Sequence, residues 1–180
     1  IQMLGEFSLS TQTQKISDRD NRSRKLWLLL AFLIHNRCRT ISHEELTDLL
    51  WDGADRSNSG GALKTTFHRV RSSLNSLCPS AGHDLILRGE GGYRWNSDAP
   101  ITLDIDDFER LCSAQADDEA AQLQIYLQAL SLYRGDFLAK MSDDPWVAPI
   151  CAHYPALYLQ VLGKTLPLLM ERGRSGEAAD

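Results

Sequence analysis

Apolar positions repeat with a period of two at the start of the chain and with a helical period from residue 25. Ile1, Met3, Phe7 and Leu9 alternate with Gln2, Glu6, Ser8 and Ser10, the pattern of a half-buried strand. Residues 10–23 are polar and predict turns with one short strand around Lys15 to Ser17. Leu26, Leu29, Leu30, Leu33 and Ile34 then follow helix spacing over residues 24–36. Thr40 and Ile41 predict an isolated strand. Ser42 followed three residues later by Glu45 is a capping box opening a helix over 44–50. Residues 53–61 have loop composition. Leu63, Phe67, Val70, Leu74 and Leu77 next form a narrow apolar stripe on a helix over 62–77, which Pro79 and Gly82 should end. Residues 85–88 and 93–95 read as two short strands about a glycine-rich turn.

The pattern turns acidic beyond Asp98 to Pro100, where a domain boundary is expected, giving domains over 1–98 and 99–180. Helices are predicted near 106–115, 119–133 and 155–172. Leu123, Leu127 and Leu130 should share one face of the second. Pro155 suits a first helical turn, whereas Pro167 should kink or break its helix. Paired helices suggest a helical-hairpin solenoid, although no period is measurable over so short a stretch. The final residues, Glu177 to Asp180, look like the start of another helix, so the chain is expected to be the N-terminal part of a longer protein.

Charge sharpens this division. Residues 1–97 carry 13 Lys and Arg against 10 Asp and Glu, a balance of +3, while 98–180 carry 6 against 14, a balance of −8. A mildly basic half joined to a strongly acidic one suggests a polyanion reader fused to a part that does not touch the polyanion. The longest apolar run, Leu26 to Ile34, falls far short of the ~20 residues a membrane-spanning helix needs, and no signal peptide is visible. No membrane partner and a cytoplasmic location are therefore expected. Four widely spaced cysteines predict free thiols, and the His35/Cys38 and Cys78/His83 pairs lack the second half of a zinc site. No hydrolase or metalloprotease motif appears, and the carboxylates Asp104, Asp106, Asp107 and Glu109 suit the positive end of a helix. Gly89 to Gly92 has no Gly-Lys-Ser/Thr sequence or following helix to make a phosphate-binding loop. Neither an enzyme nor a cofactor is indicated.

Three helices followed by a hairpin is the order of a winged helix-turn-helix, which lays one helix in the DNA major groove with the hairpin beside it. The 62–77 helix suits that role, because Thr65, His68, Arg69 and Ser72 lie opposite its apolar stripe, with Lys64 and Arg71 on one flank. Arg69 could pair bidentately with guanine; His68 and Thr65 suit base edges or phosphates, and Lys64 and Arg71 suit phosphates. Arg88, on the first hairpin strand, could place a guanidinium in a narrow minor groove. The competing expectation is a protein-interaction module built on a winged helix that has lost DNA affinity.

These residues carry a family resemblance. Arg24-Lys25, Leu28 to Ala31, and Ile41-Ser42 through Trp51 resemble the first half of an OmpR-like winged helix. His68 to Arg71 with Leu74, and Gly92-Tyr93-Arg94, resemble its recognition helix and wing. Leu132 to Leu138 and Asp144 to Val147 resemble the bacterial transcriptional activator domain. The pairing is similar to transcriptional activators of the Streptomyces antibiotic regulatory protein type. It implies a mainly α fold with small antiparallel β elements, namely an OmpR-like winged helix followed by an all-α, tetratricopeptide-like domain. It further implies major-groove and phosphate contacts at Thr65, Thr66, His68, Arg69 and Arg71, and a wing arginine at Arg88. Double-stranded DNA with promoter direct repeats is the implied partner, bound as a side-by-side pair. RNA polymerase would be recruited through its sigma or alpha subunit, with the loop from Trp51 to Ser59 facing it. Phe137 and Trp146 are expected to pack the core of the second domain.

Overall fold

A computed structural model describes residues 1–20, 23–51 and 59–177. They form two compact units, Leu9–Ile101 and a second made of Ile1–Ser8 with Thr102–Asp180.

The unit formed by Leu9–Ile101 is built around one helix. α1 (Arg24–His35) is buried continuously from Leu26 to Ile34, as expected of a helix that is apolar all round. Its end is closed at Asn36, whose backbone N–H and side-chain amide both donate to the Phe32 carbonyl at 3.0 Å. α2 (His43–Trp51) follows β3 (Ile41–Ser42). The Ser42 hydroxyl accepts from the Glu45 N–H at 3.1 Å, half of the expected capping box. The Glu45 carboxylate is engaged by the Arg39 guanidinium at 2.8 Å, and this bond holds its pKa below the usual carboxylate value.

α3 (Ser59–Leu77) packs on both α1 and α2 through Leu63, Phe67, Val70 and Leu74. It starts three residues earlier than the stripe predicts and takes in Gly60 and Gly61. Each glycine costs a helix about 1 kcal/mol relative to alanine, a local penalty that tertiary packing can override. α4 (Ala81–Asp84), which the sequence did not reveal, sits against α3. The approach requires glycine, because a Cβ on Gly82 would stand 2.5 Å from the Arg71 carbonyl oxygen. The Gly82 N–H donates to Asn75 Oδ1 at 2.8 Å.

β4 (Ile86–Gly89) and β5 (Gly92–Trp95) make an antiparallel hairpin, and β3 pairs with the outer side of β5, giving the order β3-β5-β4. Gly91, at φ +86°, turns the chain between the hairpin strands. Gly92 opposes Ser42, and a Cβ there would lie 1.9 Å from the Ile41 carbonyl oxygen, so only glycine lets β3 join the sheet. β1 (Ser8–Ser10) and β2 (Lys15–Ser17) form a separate two-stranded sheet.

The second unit packs α5 (Asp104–Ser113), α6 (Glu119–Leu132) and α7 (His153–Glu177) against one another. Asp118 caps α6 by accepting from the Ala121 N–H at 2.8 Å. Leu123 and Ala129 are buried while Leu127 is exposed, so the inward face is turned toward Tyr126 and Ala129. Pro167 lies inside α7 and does not break it, the stronger of the two effects expected there. The carbonyl its missing N–H would have bonded belongs to Gly163; both residues are exposed, so water can satisfy that oxygen. Phe137 is fully buried between the Tyr154 ring at 5.3 Å and the edge of half-buried Trp146 at 6.4 Å.

The first eight residues complete this unit. The Met3 and Leu4 N–H groups donate to the Asp104 carboxylate at 2.8 and 2.9 Å. The Met3 carbonyl accepts from Leu138, and the Gly5 N–H donates to the Asp136 carbonyl. Gly5, at φ +91°, breaks the expected alternation, and a Cβ there would meet the Arg134 carbonyl oxygen at 2.9 Å. Burial pushes the Asp104 carboxyl above the usual carboxylate range, against the backbone N–H bonds from Leu4, Met3 and Ile105 that favour its charged form.

Candidate nucleic-acid interface

The exposed face of α3 follows from its buried stripe. With Leu63, Phe67, Val70 and Leu74 turned inward, helical geometry turns Lys64, Thr65, His68, Arg69 and Ser72 outward, and all five are exposed. Thr66 is different. It is buried, and its hydroxyl donates to the Ala62 carbonyl at 2.9 Å, so it is not on the face with the others. The Thr65 hydroxyl likewise bonds back to Gly61 at 3.0 Å, but that side chain remains exposed.

The hairpin is fixed to this helix by two contacts. The Tyr93 ring stacks on Phe67 with centroids 3.7 Å apart and planes inclined by 22°, and His43 meets the same ring edge-on at 5.2 Å. Arg71 reaches across from α3 and donates to the Ile86 carbonyl at 3.0 Å. It is half-buried, so part of its guanidinium serves to hold the hairpin. Arg88 stands opposite Tyr93 in the hairpin register and is exposed.

Between helix and hairpin lies a shallow cleft of about 400 Å³. Lys64, His68, Arg71 and Ser72 line it from α3, Arg88 from β4, and His83 from α4. The arrangement therefore gathers five of the expected residues into one cationic concavity. Arg69 and Thr65 are not part of its lining and lie toward the other edge of the exposed face. His83 went unrecognised in the sequence because nothing there indicated α4, which carries it beside the recognition stripe. Asn75 also lines the cleft, with its carbonyl oxygen committed to Gly82. The expected polymerase-facing loop falls at 52–58, outside the described residues.

Other chemistry has little footing. The four cysteines are free, and among the described residues no group of three or more His, Cys, Asp or Glu could hold a metal ion. Among them, too, no helix is long and apolar enough to cross a membrane.

Comparison with known proteins gives this geometry a context. Residues 103–180 match the family model of the bacterial transcriptional activator domain. That stretch is similar to the activator domain, and the relatives below extend the similarity over the rest of the chain. Over 99% of its length it is 27% identical to the transcriptional regulator RedD of Streptomyces coelicolor. The chain covers 51% of RedD, about half the length of that curated relative. Its fold matches Mycobacterium tuberculosis EmbR, solved in complex with a low-affinity phosphopeptide, with a TM-score of 0.74 at 17% identity. That match covers 97% of this chain and 46% of EmbR. The expected mainly α fold, a winged helix followed by a helical domain, is thus the fold of this chain.

Proposed function

We propose that this chain is a sequence-specific, DNA-binding transcriptional activator acting in the cytoplasm. α3 is its recognition helix and the β4–β5 hairpin its wing. One observation supports this above the others: an exposed polar helix face and a hairpin arginine are locked together by the Tyr93–Phe67 stack and the Arg71–Ile86 bond. Such a pair presents a preset surface to a duplex, so little ordering is needed on binding.

The roles divide along the helix face. Arg69, Thr65 and Ser72 face the base edges, with Arg69 the candidate for bidentate guanine recognition. Lys64, His68 and Arg71 face the backbone, and Arg88 serves the wing. Thr66 acts indirectly by holding the first turns of α3. The resemblance adds binding to promoter direct repeats as a side-by-side pair, and recruitment of RNA polymerase through its sigma or alpha subunit.

Selection of binding sites from random double-stranded DNA tests the proposal, with Arg69→Ala run in parallel. An enriched direct repeat that the variant fails to enrich is the expected result. Wild type and variant enriching the same sequence equally would refute the helix assignment. No enrichment by either would favour the protein-interaction module instead.

A further inference from the structure

We infer that the cleft between α3 and the hairpin seats a backbone phosphate of the duplex, and that it does so with proton uptake through His68 and His83. The inference rests on the DNA-binding reading above and adds to it a site and a linkage.

The cleft brings together groups from four elements. α3 supplies Lys64, His68 and Arg71, β4 supplies Arg88 and β5 Tyr93, and α4 supplies His83. Among the described residues no carboxylate lines it: Asp84, next to His83, and Glu90, in the hairpin turn, are both exposed and outside the lining. His43, on the other contact of the Tyr93 ring, is also outside. A proton gained by either lining histidine therefore adds net positive charge to a concavity that already holds a lysine and two arginines. A bound phosphate favours that addition, since it attracts both imidazolium groups and can accept a bond from each.

Histidine is the side chain whose ordinary titration range spans neutrality, whereas a phosphodiester stays singly charged across it. Binding and protonation then favour one another, and by linkage affinity rises as pH falls. Arg69 lies outside the cleft, so reading of base edges should be insensitive to the same protons. Acidification is therefore expected to strengthen binding to all sequences while leaving the preference among them nearly unchanged.

The test uses the full chain and the duplex that the selection above yields, with the selection run near pH 6 so that the favourable state is sampled. Affinity is measured at about pH 6 and about pH 8 across a range of salt. The wild type should bind about tenfold more tightly at the lower pH. Its salt dependence should be steeper there by roughly one unit of the logarithmic slope, as expected for one added phosphate contact. His83→Gln and His68→Gln keep a polar side chain without the titration, and each should lose part of the pH effect. The His83 ring resonances, followed by NMR through a pH titration, should titrate at higher pH with duplex than without. Binding that is equally tight at both pH values would overturn the linkage while leaving the DNA-binding reading intact. So would a pH effect that both variants retain in full. Failure to select or bind any duplex at either pH would instead overturn the reading on which the linkage depends.

Discussion

The two units are made of similar helices but close their cores in different ways. In the unit formed by Leu9–Ile101, neighbours in sequence are neighbours in space: α3 leads to α4, α4 to β4, and β4 to β5 through a tight turn. The second unit draws residues 1–8 from the far end of the chain and fastens them to Asp104, across about a hundred residues. The first presents a polar helix face and keeps its apolar stripe inward. The second is held by backbone groups bonded to one buried carboxylate and by an aromatic cluster around Phe108, Phe137 and Tyr154. The contrast shows that one unit's integrity is a local property, while the other's depends on a long-range closure.

The largest expected effect removes that closure. Asp104→Ala would leave the Met3 and Leu4 N–H groups without their acceptor, at a cost of about 2–4 kcal/mol. Urea unfolding followed residue by residue by NMR should show the helical unit weakened and the wing unit unchanged. Equal loss in both would contradict the contrast just drawn. Next in size is Gly92→Ala, which pushes a Cβ into the Ile41 carbonyl and should cost the wing unit about 2–3 kcal/mol. There the expected pattern is reversed, with α5 to α7 unaffected.

Arg69→Ala and Lys64→Ala compare the two edges of the α3 face. The first should lose about 1–3 kcal/mol of discrimination at one base position. The second should weaken binding to every sequence alike and flatten the salt dependence by roughly one unit of slope. Competition between matched and mismatched duplexes distinguishes the two, and identical behaviour of both variants would erase the proposed division.

The smallest effect concerns Tyr133, whose phenol is pushed up to about 12 by burial and by its bond to Asp136. Its raised value favours the neutral form in the folded chain. The stability it contributes is thus present below the ordinary value of 10.0 and is lost as pH rises from there toward about 12. Alkaline titration by tyrosinate absorbance should show a late component that Tyr133→Phe removes and Asp136→Asn moves to lower pH.

Much of the wing unit was legible in the sequence because its signals are local. The stripe from Leu63 to Leu74 marked α3 and its exposed face, Ser42 and Glu45 marked the start of α2, and the glycines at 89, 91 and 92 marked the hairpin turn. What escaped were contacts that leave no periodic trace. Nothing in the spacing of Asp104 reveals that its carboxylate binds the backbone of Met3 and Leu4, since backbone donors look alike at every position. The same holds for Arg71, legible as a phosphate-facing cation but not as the group that reaches Ile86. It holds also for His83, whose place beside α3 depends on the close approach at Gly82. Pro167 does not break α7 because propensity describes an isolated helix, whereas α7 is held by its packing against α5 and α6.

The closure at Asp104 also makes the wing unit an insertion. The chain leaves the helical body after Ser8, builds the whole of Leu9–Ile101, and returns at Thr102. Two covalent crossings join the units where an ordinary tandem arrangement has one. A protease that cuts one crossing should leave the other holding the two parts together, so that separation requires two cuts.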